Sequence, residues 1–172
     1  LDIRDTIVLC QKAYYNFSVF RNTIDLMTEF SMSEIYLTGG SKKARDFFDA
    51  LCKKINMNSL QSRFFREYYR SGNVFIHRFD ANVSKSDVTK MTQTFGLNSN
   101  ASFKLPARYI ILNPADIQIS GNITFATGEF RKVLTDYELE RLRSPRTEED
   151  RQVLESFDPE TIKKIKGEGN KK

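Results

Sequence analysis

The only histidine of this chain, His77, is the side chain best suited to acid–base or metal chemistry near neutral pH. It lies between Phe75 and Phe79 in a stretch of alternating character, which is typical of a half-buried strand. A zinc site needs several Cys, His or carboxylate ligands close together. Cys10 and Cys52 instead fall on separate apolar helical stripes. We therefore predict that His77 is structural and that both cysteines are buried free thiols, with a single disulfide as the alternative.

Two further segments resemble parts of known chemical sites without completing them. The segment Gly39–Lys42 opens a predicted helix, but no glycine precedes it at the spacing of a phosphate-binding loop. Asp116, Glu129 and Lys132 follow the order of a metal-dependent nuclease, yet the E-x-x-K spacing places Lys132 on the wrong face of a strand. The chain also lacks a G-x-S-x-G nucleophile elbow. The sequence therefore predicts a protein that is not an enzyme and that uses no cofactor or metal.

Positive charge is concentrated in one part of the chain. The net charge is +5, and residues 41–70 contain eight basic residues against three acidic ones. Arg63, Arg66 and Arg70 follow one another at helical spacing and share a face. Such a face is solvated, contacts a neighbouring subunit, or contacts DNA phosphates. The candidate acidic counterparts are Glu148, Glu149 and Asp150.

The periodicity of apolar residues predicts the helices and strands that hold these side chains. Apolar residues recur at helical spacing from Ile3 to Phe17 and from Phe20 to Phe30, and Glu34–Thr38 reads as a short strand. Ser41 is suited to cap the next helix, which is followed by a second helix that ends at Gly72. The helix pair leads into strands, and short helices end the chain, so we predict an α+β fold with a small mixed or antiparallel sheet.

The second half of the chain contains the predicted strands. We expect one strand over residues 73–79 and another over 108–112, joined by a polar segment, 80–104, that forms a long loop or a weak helix. Ile117–Ile119 and Ile123–Phe125 flank a Ser-Gly-Asn turn typical of a hairpin, and a further strand is predicted from Glu129 to Leu134. The longest apolar run is too short to cross a bilayer, so we expect no membrane partner.

Two separated stretches carry a resemblance to a known family. The stretch Phe64–Arg78, which reads FFREYYRSGNVFIHR, is similar to the segment of tailed-phage portal proteins in which a helix ends at a Gly-Asn pair and enters a strand of the wing region. The stretch Leu105–Ile117 resembles the next landmark of that family, a strand that ends in an Asn-Pro turn. Gly72, Asn73, Asn113 and Pro114 are therefore the expected structural junctions.

The resemblance implies a structural subunit of a viral portal ring at one capsid vertex. Such a ring, commonly of twelve copies, is the conduit for double-stranded DNA in packaging and ejection, and it is the docking site of capsid protein, packaging motor and tail adaptor. It implies a protein made in the host cytoplasm and located in the virion. Portal subunits are several hundred residues long, so we expect this chain to be part of one.

The resemblance, together with the charged helical pattern that follows it, gives the expected domain organisation. We predict a portal wing-like α+β domain over residues 1–134, a charged helical extension over 135–166 and a flexible tail over 167–172. The alternative function is a basic α+β module that binds nucleic acid. The two functions differ in salt dependence, because a true nucleic-acid binder loses affinity steeply as salt concentration rises.

Overall fold

The structure, a computed structural model, describes residues 2–81, 83–95, 105–120 and 129–167. The chain divides into two compact units, unit 1 over Leu1–Ala115 and unit 2 over Asp116–Lys172. The described residues form eight α-helices and two small antiparallel sheets of two strands each, so the fold is α+β, as predicted.

Unit 1 begins with four helices, α1 (Ile3–Asn16), α2 (Ser18–Ser31), α3 (Lys42–Lys54) and α4 (Met57–Ser71). Helices α1, α2 and α4 pack against one another, and their buried apolar side chains include Ile7, Ile24 and Leu60. Ser41 caps α3 as predicted, because its hydroxyl accepts a hydrogen bond from the backbone N–H of Ala44 at 3.2 Å.

A pair of strands follows the helices of unit 1. Strand β1 (Phe75–Ala81) pairs antiparallel with β2 (Leu105–Leu112), so that Phe75 lies opposite Leu112 and Arg78 lies opposite Tyr109. Between them α5 (Lys85–Phe95) forms, which selects the helical alternative for part of the polar segment 80–104. The rings of Phe95 and Phe47 pack edge-on, with 5.1 Å between the ring centres, and this contact joins α5 to α3.

The strand predicted over Glu34–Thr38 is wrong. These residues belong to neither of the two sheets of the described structure, and Tyr36 is 75% exposed. Alternation of apolar and polar residues favours an extended backbone, but a strand also needs a neighbour that accepts and donates its backbone hydrogen bonds. The periodicity of one segment cannot supply that neighbour.

Unit 2 combines a hairpin with three short helices. Strand β3 (Ile117–Ser120) pairs antiparallel with β4 (Glu129–Lys132), which confirms a strand in the region from Glu129. The expected strand at Ile123–Phe125 lies outside the described residues. The helices are α6 (Asp136–Arg143), α7 (Glu148–Glu155) and α8 (Pro159–Ile165), and their core is formed by Leu142, Leu154 and Ile165.

The division between the units differs in position from the expected domain boundary after Leu134. The β3–β4 hairpin pairs with itself, and the backbone N–H of Val133 donates to the carbonyl of Asp116 at 2.7 Å. Leu134 packs on the cluster formed by the helices of unit 2. The hairpin therefore belongs with the C-terminal helices and not with the preceding strands.

Candidate assembly surfaces

The predicted arginine stripe on α4 is not a single exposed face. Arg70 is only 14% exposed and forms an ion pair with Glu67, which is 7% exposed. Its guanidinium also donates to the hydroxyl of Tyr15 at 3.2 Å and lies 5.5 Å from the ring centre of Tyr14. Burial opposes its charge, but the hydrogen bond and the attraction of Glu67 outweigh burial and raise the pKa of Arg70. Arg70 therefore stabilises the packing of α4 on α1.

Arg66 is also engaged within unit 1. Its Nε lies 3.3 Å from Oδ1 of Asp25 on α2, and the same carboxylate accepts a hydrogen bond from the hydroxyl of Tyr14 at 2.8 Å. Burial, and then the hydrogen bond to Asp25, raises the pKa of Tyr14. Regular spacing places three arginines on one helix face, but two of them, Arg66 and Arg70, have partners on α2 and α1. Tyr14, Tyr15 and Asp25 are the partners that sequence reasoning missed.

Arg63 is the member of the predicted stripe that stays exposed, and its Nε donates to the carbonyl of Ser59 on its own helix. The outer side of α3 carries further exposed cations. We define the basic surface of unit 1 as Arg63 together with the exposed lysines of α3, which are Lys42, Lys43, Lys53 and Lys54. Lys53 is partly neutralised, since its Nζ lies 2.7 Å from Oδ2 of Asp49.

The predicted acidic cluster of unit 2 is also divided. Asp150 is buried, and its Oδ2 accepts a hydrogen bond from the backbone N–H of Thr147 at 3.2 Å while Oδ1 lies 2.5 Å from Arg141. Asp150 thus completes a capping box with Thr147. Glu148 is exposed near Arg151, and Glu149 is half-buried. Asp150 therefore has a structural role at the start of α7 and does not face solvent.

The four predicted junction residues lie at the end of α4 and at the turn after β2. Gly72 ends α4 at a φ of 73°, in the left-handed region that glycine tolerates, and Asn73 leads into β1. Oδ1 of Asn113 accepts a hydrogen bond from the backbone N–H of Ala115 at 3.2 Å, which turns the chain after β2. Pro114 is fully buried in that turn.

The turn after β2 is tied to α1. The side-chain amide of Gln11 donates to Oδ1 of Asn113 at 2.7 Å. A cavity of about 290 Å³ lies beside this bond, and Tyr15, Glu67 and Arg70 form part of its lining. Hydrogen bonds at this cavity join α1 both to the end of α4, through Arg70 and Tyr15, and to the turn after β2, through Gln11 and Asn113.

His77 lies in β1, in the region of the predicted strand. It is half-buried, and its ring lies edge-on to Phe79, with 4.6 Å between the ring centres. In the described part of the chain, no three His, Cys, Asp or Glu side chains come together as metal ligands. Cys10 and Cys52 are free thiols, and both are half-buried.

The largest departure from ordinary surface chemistry lies between α1 and the start of α3. Many large apolar side chains there are exposed, and the most exposed are Phe17 at 66%, Val19 at 78%, Phe30 at 79% and Tyr36 at 75%. Single exposed apolar residues are common on protein surfaces, but closely spaced groups of them mark contact sites. The signal in the sequence is that α2 carries apolar residues on more than one of its faces.

Comparison with known proteins adds no family to this description. A scan against protein-family models and searches of curated proteins and of solved structures found no match to this chain. Within the described residues, no helix has the length and apolar character needed to cross a bilayer.

Proposed function

We propose that this chain is part of a structural subunit of a portal-type ring at the capsid vertex of a tailed phage. The observation that carries the proposal is that the two stretches that resemble portal proteins form one structure. Helix α4 ends at Gly72 and enters β1, and β1 pairs along its length with β2. In the turn that follows β2, the side chain of Asn113 accepts a hydrogen bond from Gln11 of α1. Residues far apart in the sequence thus meet, which supports the proposal.

The exposed apolar side chains of unit 1 support an assembling protein over a protein that acts alone. Phe17, Val19 and Phe30 are each about two thirds or more exposed. Covering such side chains contributes about 25 cal/mol per Å² of apolar area removed from water. Such exposed apolar side chains are expected on a subunit that functions within an assembly, where neighbouring subunits cover them.

The partners follow from the proposal. They are copies of the same subunit in a closed ring, commonly twelve, together with capsid protein, packaging motor and tail adaptor. Double-stranded DNA passes through the ring with weak direct contact. The subunit is made in the host cytoplasm and is located in the virion, and it performs no enzymatic reaction of its own.

Charge contributes to the register of such a ring. The basic surface of unit 1 is exposed, and Glu148 is an exposed acid at the start of α7 in unit 2. Exposed ion pairs are each worth only about 0–1 kcal/mol. A contact repeated around a ring multiplies that small energy, and complementary charge suppresses wrong docking. Because Arg66, Arg70 and Asp150 are engaged within their own units, they are not part of this contact.

The basic surface also supports the second candidate function, a module that binds nucleic acid. Lys42, Lys43, Lys54 and Arg63 are all exposed. A module of this kind neutralises several phosphates, so its affinity for duplex DNA falls steeply between low and moderate salt. A ring subunit instead binds isolated DNA weakly at every salt concentration.

The test compares assembly and DNA binding in matched charge-reversal variants. Lys43→Glu combined with Arg63→Glu reverses two exposed cations of the basic surface, and Lys163→Glu with Lys164→Glu reverses two exposed cations of α8. We expect sedimentation of the intact protein at low and moderate salt to show impaired ring formation only for the first pair. A wild type that stays monomeric, or one that binds duplex DNA with a steep salt dependence, contradicts the portal proposal.

A further inference from the structure

Helix α2 has an apolar face that nothing in the described structure covers. Ile24 is 3% exposed and Thr28 is fully buried where α2 packs on α1 and α4. On the opposite side Val19 is 78% exposed, Leu26 is 56% exposed and Phe30 is 79% exposed. A helix on the surface of a unit normally shows one apolar stripe. The second stripe of α2 therefore points to a partner.

The second stripe has the spacing of a helix–helix seam. We call it the α2 seam, and its members are Val19, Thr23, Leu26 and Phe30, at intervals of four, three and four residues. Its one polar member is satisfied within the helix, because the hydroxyl of Thr23 donates to the carbonyl of Val19 at 2.9 Å. A seam of this spacing packs side chains as knobs into the holes of a facing helix.

The α2 seam is complementary to itself in one orientation. The intervals four, three and four read the same in both directions, so a second α2 fits antiparallel. Val19 then lies opposite Phe30 of the second copy and Thr23 lies opposite Leu26, which sets a small side chain against a large one in each layer. A parallel pairing sets Phe30 against Phe30 and Val19 against Val19, which crowds one layer and leaves the other underfilled.

The residues that flank the seam favour the same orientation. Phe20, which is 39% exposed, and Met27, which is 43% exposed, lie on one flank. Asn22 and Glu29 lie on the other. In an antiparallel pair like flanks meet, so apolar side chains lie against apolar ones and Glu29 lies beside Asn22 of the second copy. A parallel pair brings each apolar flank against a polar one.

The exposed area is sufficient for a specific contact. Five side chains of this face, those of Val19, Phe20, Leu26, Met27 and Phe30, present on the order of 600 Å² at their observed exposures, given side-chain areas of about 150–250 Å² for the aromatic ones. Two copies together remove up to roughly 1,200 Å², which reaches the lower end of specific interfaces.

From these observations we infer that the α2 seam is a docking surface for the α2 seam of a second copy of this chain, paired antiparallel about a two-fold axis. The contact is separate from the head-to-tail contacts that close a ring, and it holds whether or not the proposed ring forms. A membrane surface is the weaker occupant. The charged residues of α2 are Arg21, Asp25 and Glu29, whereas helices that lie on membranes are rich in Lys and Arg.

The first experiment measures self-association of the whole chain by sedimentation equilibrium. Leu26→Glu places a carboxylate in the centre of the paired seam, and we expect it to weaken the dimer about tenfold or more. Leu9→Glu on α1 is the matched control, since Leu9 is the same residue type and is also 56% exposed. A Leu26→Glu variant that associates as tightly as wild type overturns the inference. So does a monomeric wild type that cosediments with vesicles of phosphatidylcholine and phosphatidylserine.

The second experiment tests the orientation. Val19→Cys and Phe30→Cys are combined with Cys10→Ser and Cys52→Ser, and the protein is oxidised and digested before mass spectrometry. Within one helix the two new thiols are about 16 Å apart, too far for an internal disulfide. We expect peptides that join position 19 to position 30 of the other copy. Peptides that join 19 to 19 and 30 to 30 overturn the antiparallel arrangement.

Discussion

Replacement of Arg70 by alanine removes the cation of the buried ion pair with Glu67 within α4, together with the contacts of Arg70 with Tyr14 and Tyr15 of α1. Glu67 is 7% exposed and Arg70 is 14% exposed, so the carboxylate that remains cannot be solvated fully. Removing one partner of a buried pair costs about 3–5 kcal/mol, because it leaves an uncompensated buried charge. The hydroxyl of Ser71 still donates to Oε1 of Glu67 at 2.7 Å. We therefore expect a loss at the lower end, about 3 kcal/mol.

The control is on the same helix. Arg63 is exposed, and Arg63→Ala is expected to change the free energy of unfolding by about 0.5 kcal/mol or less. A second control is the double variant Glu67→Leu with Arg70→Met, which leaves no unpaired charge. It is expected to cost less than Arg70→Met alone, so that the two substitutions are strongly non-additive.

The assay is a urea titration followed by circular dichroism, together with hydrogen exchange of the α4 amides. The second measurement is needed because the chain has two units that can unfold separately, and exchange reports on unit 1 alone. Equal losses for Arg70→Ala and Arg63→Ala would refute the reasoning. Additive effects in the double variant would also refute it.

Three further predictions concern caps, turns and exposure. Burial opposes the charges of Asp150 and Glu138, but their hydrogen bonds and cationic partners outweigh it and lower both pKa values. A carboxyl group whose pKa is lowered by folding stabilises the folded state fully at pH values above its pKa in the unfolded chain. This stabilisation is lost as the pH falls through its pKa in the folded chain. Unit 2 is therefore expected to unfold below about pH 4. An acid titration followed by circular dichroism tests this, and an Asp150→Asn variant with an unchanged transition contradicts it. Gly72→Val is expected to lower the free energy of unfolding, measured by urea titration, by about 1 kcal/mol. Gly72→Asn is expected to lower it clearly less, because asparagine tolerates a positive φ. Equal losses would contradict the need for a positive φ at the end of α4. No residue of α5 is buried, so trypsin is expected to cut at Lys90 in α5 before it cuts at Arg63 in α4. Mass spectrometry of the digest gives the order of cleavage. The reverse order would show that α5 is the better protected helix.

Local rules predicted the parts of the fold that depend on local chemistry. The hydroxyl of Ser41 caps the next helix whatever surrounds it, and Gly72 ends a helix because it alone tolerates the required φ without strain. The sequence predicts the two strands of unit 1, but it does not give their register. It favours neither a loop nor a weak helix for the segment 80–104, because that segment offers few apolar anchors.

The errors arose where a neighbouring element decides the outcome. The spacing of Arg63, Arg66 and Arg70 places them on one face, but Arg66 pairs with Asp25 of α2 and Arg70 contacts Tyr15 of α1. No periodicity within α4 shows these partners. Asp150 looked like one of three surface acids, whereas its position three residues after Thr147 matches the capping box that it completes. Apolar residues recur at helical spacing from Phe20 to Phe30, but a helical pattern alone does not tell which of two apolar faces of α2 is covered.

If the intact protein forms the proposed portal-type ring, electron microscopy of the purified protein shows that ring. Class averages count the subunits and show whether the assembly is closed, without assuming a shape. We expect closed, rotationally symmetric rings with a central channel, either single or joined face to face through the α2 seam. A field of monomers, isolated dimers or open filaments at micromolar concentration would contradict the proposal.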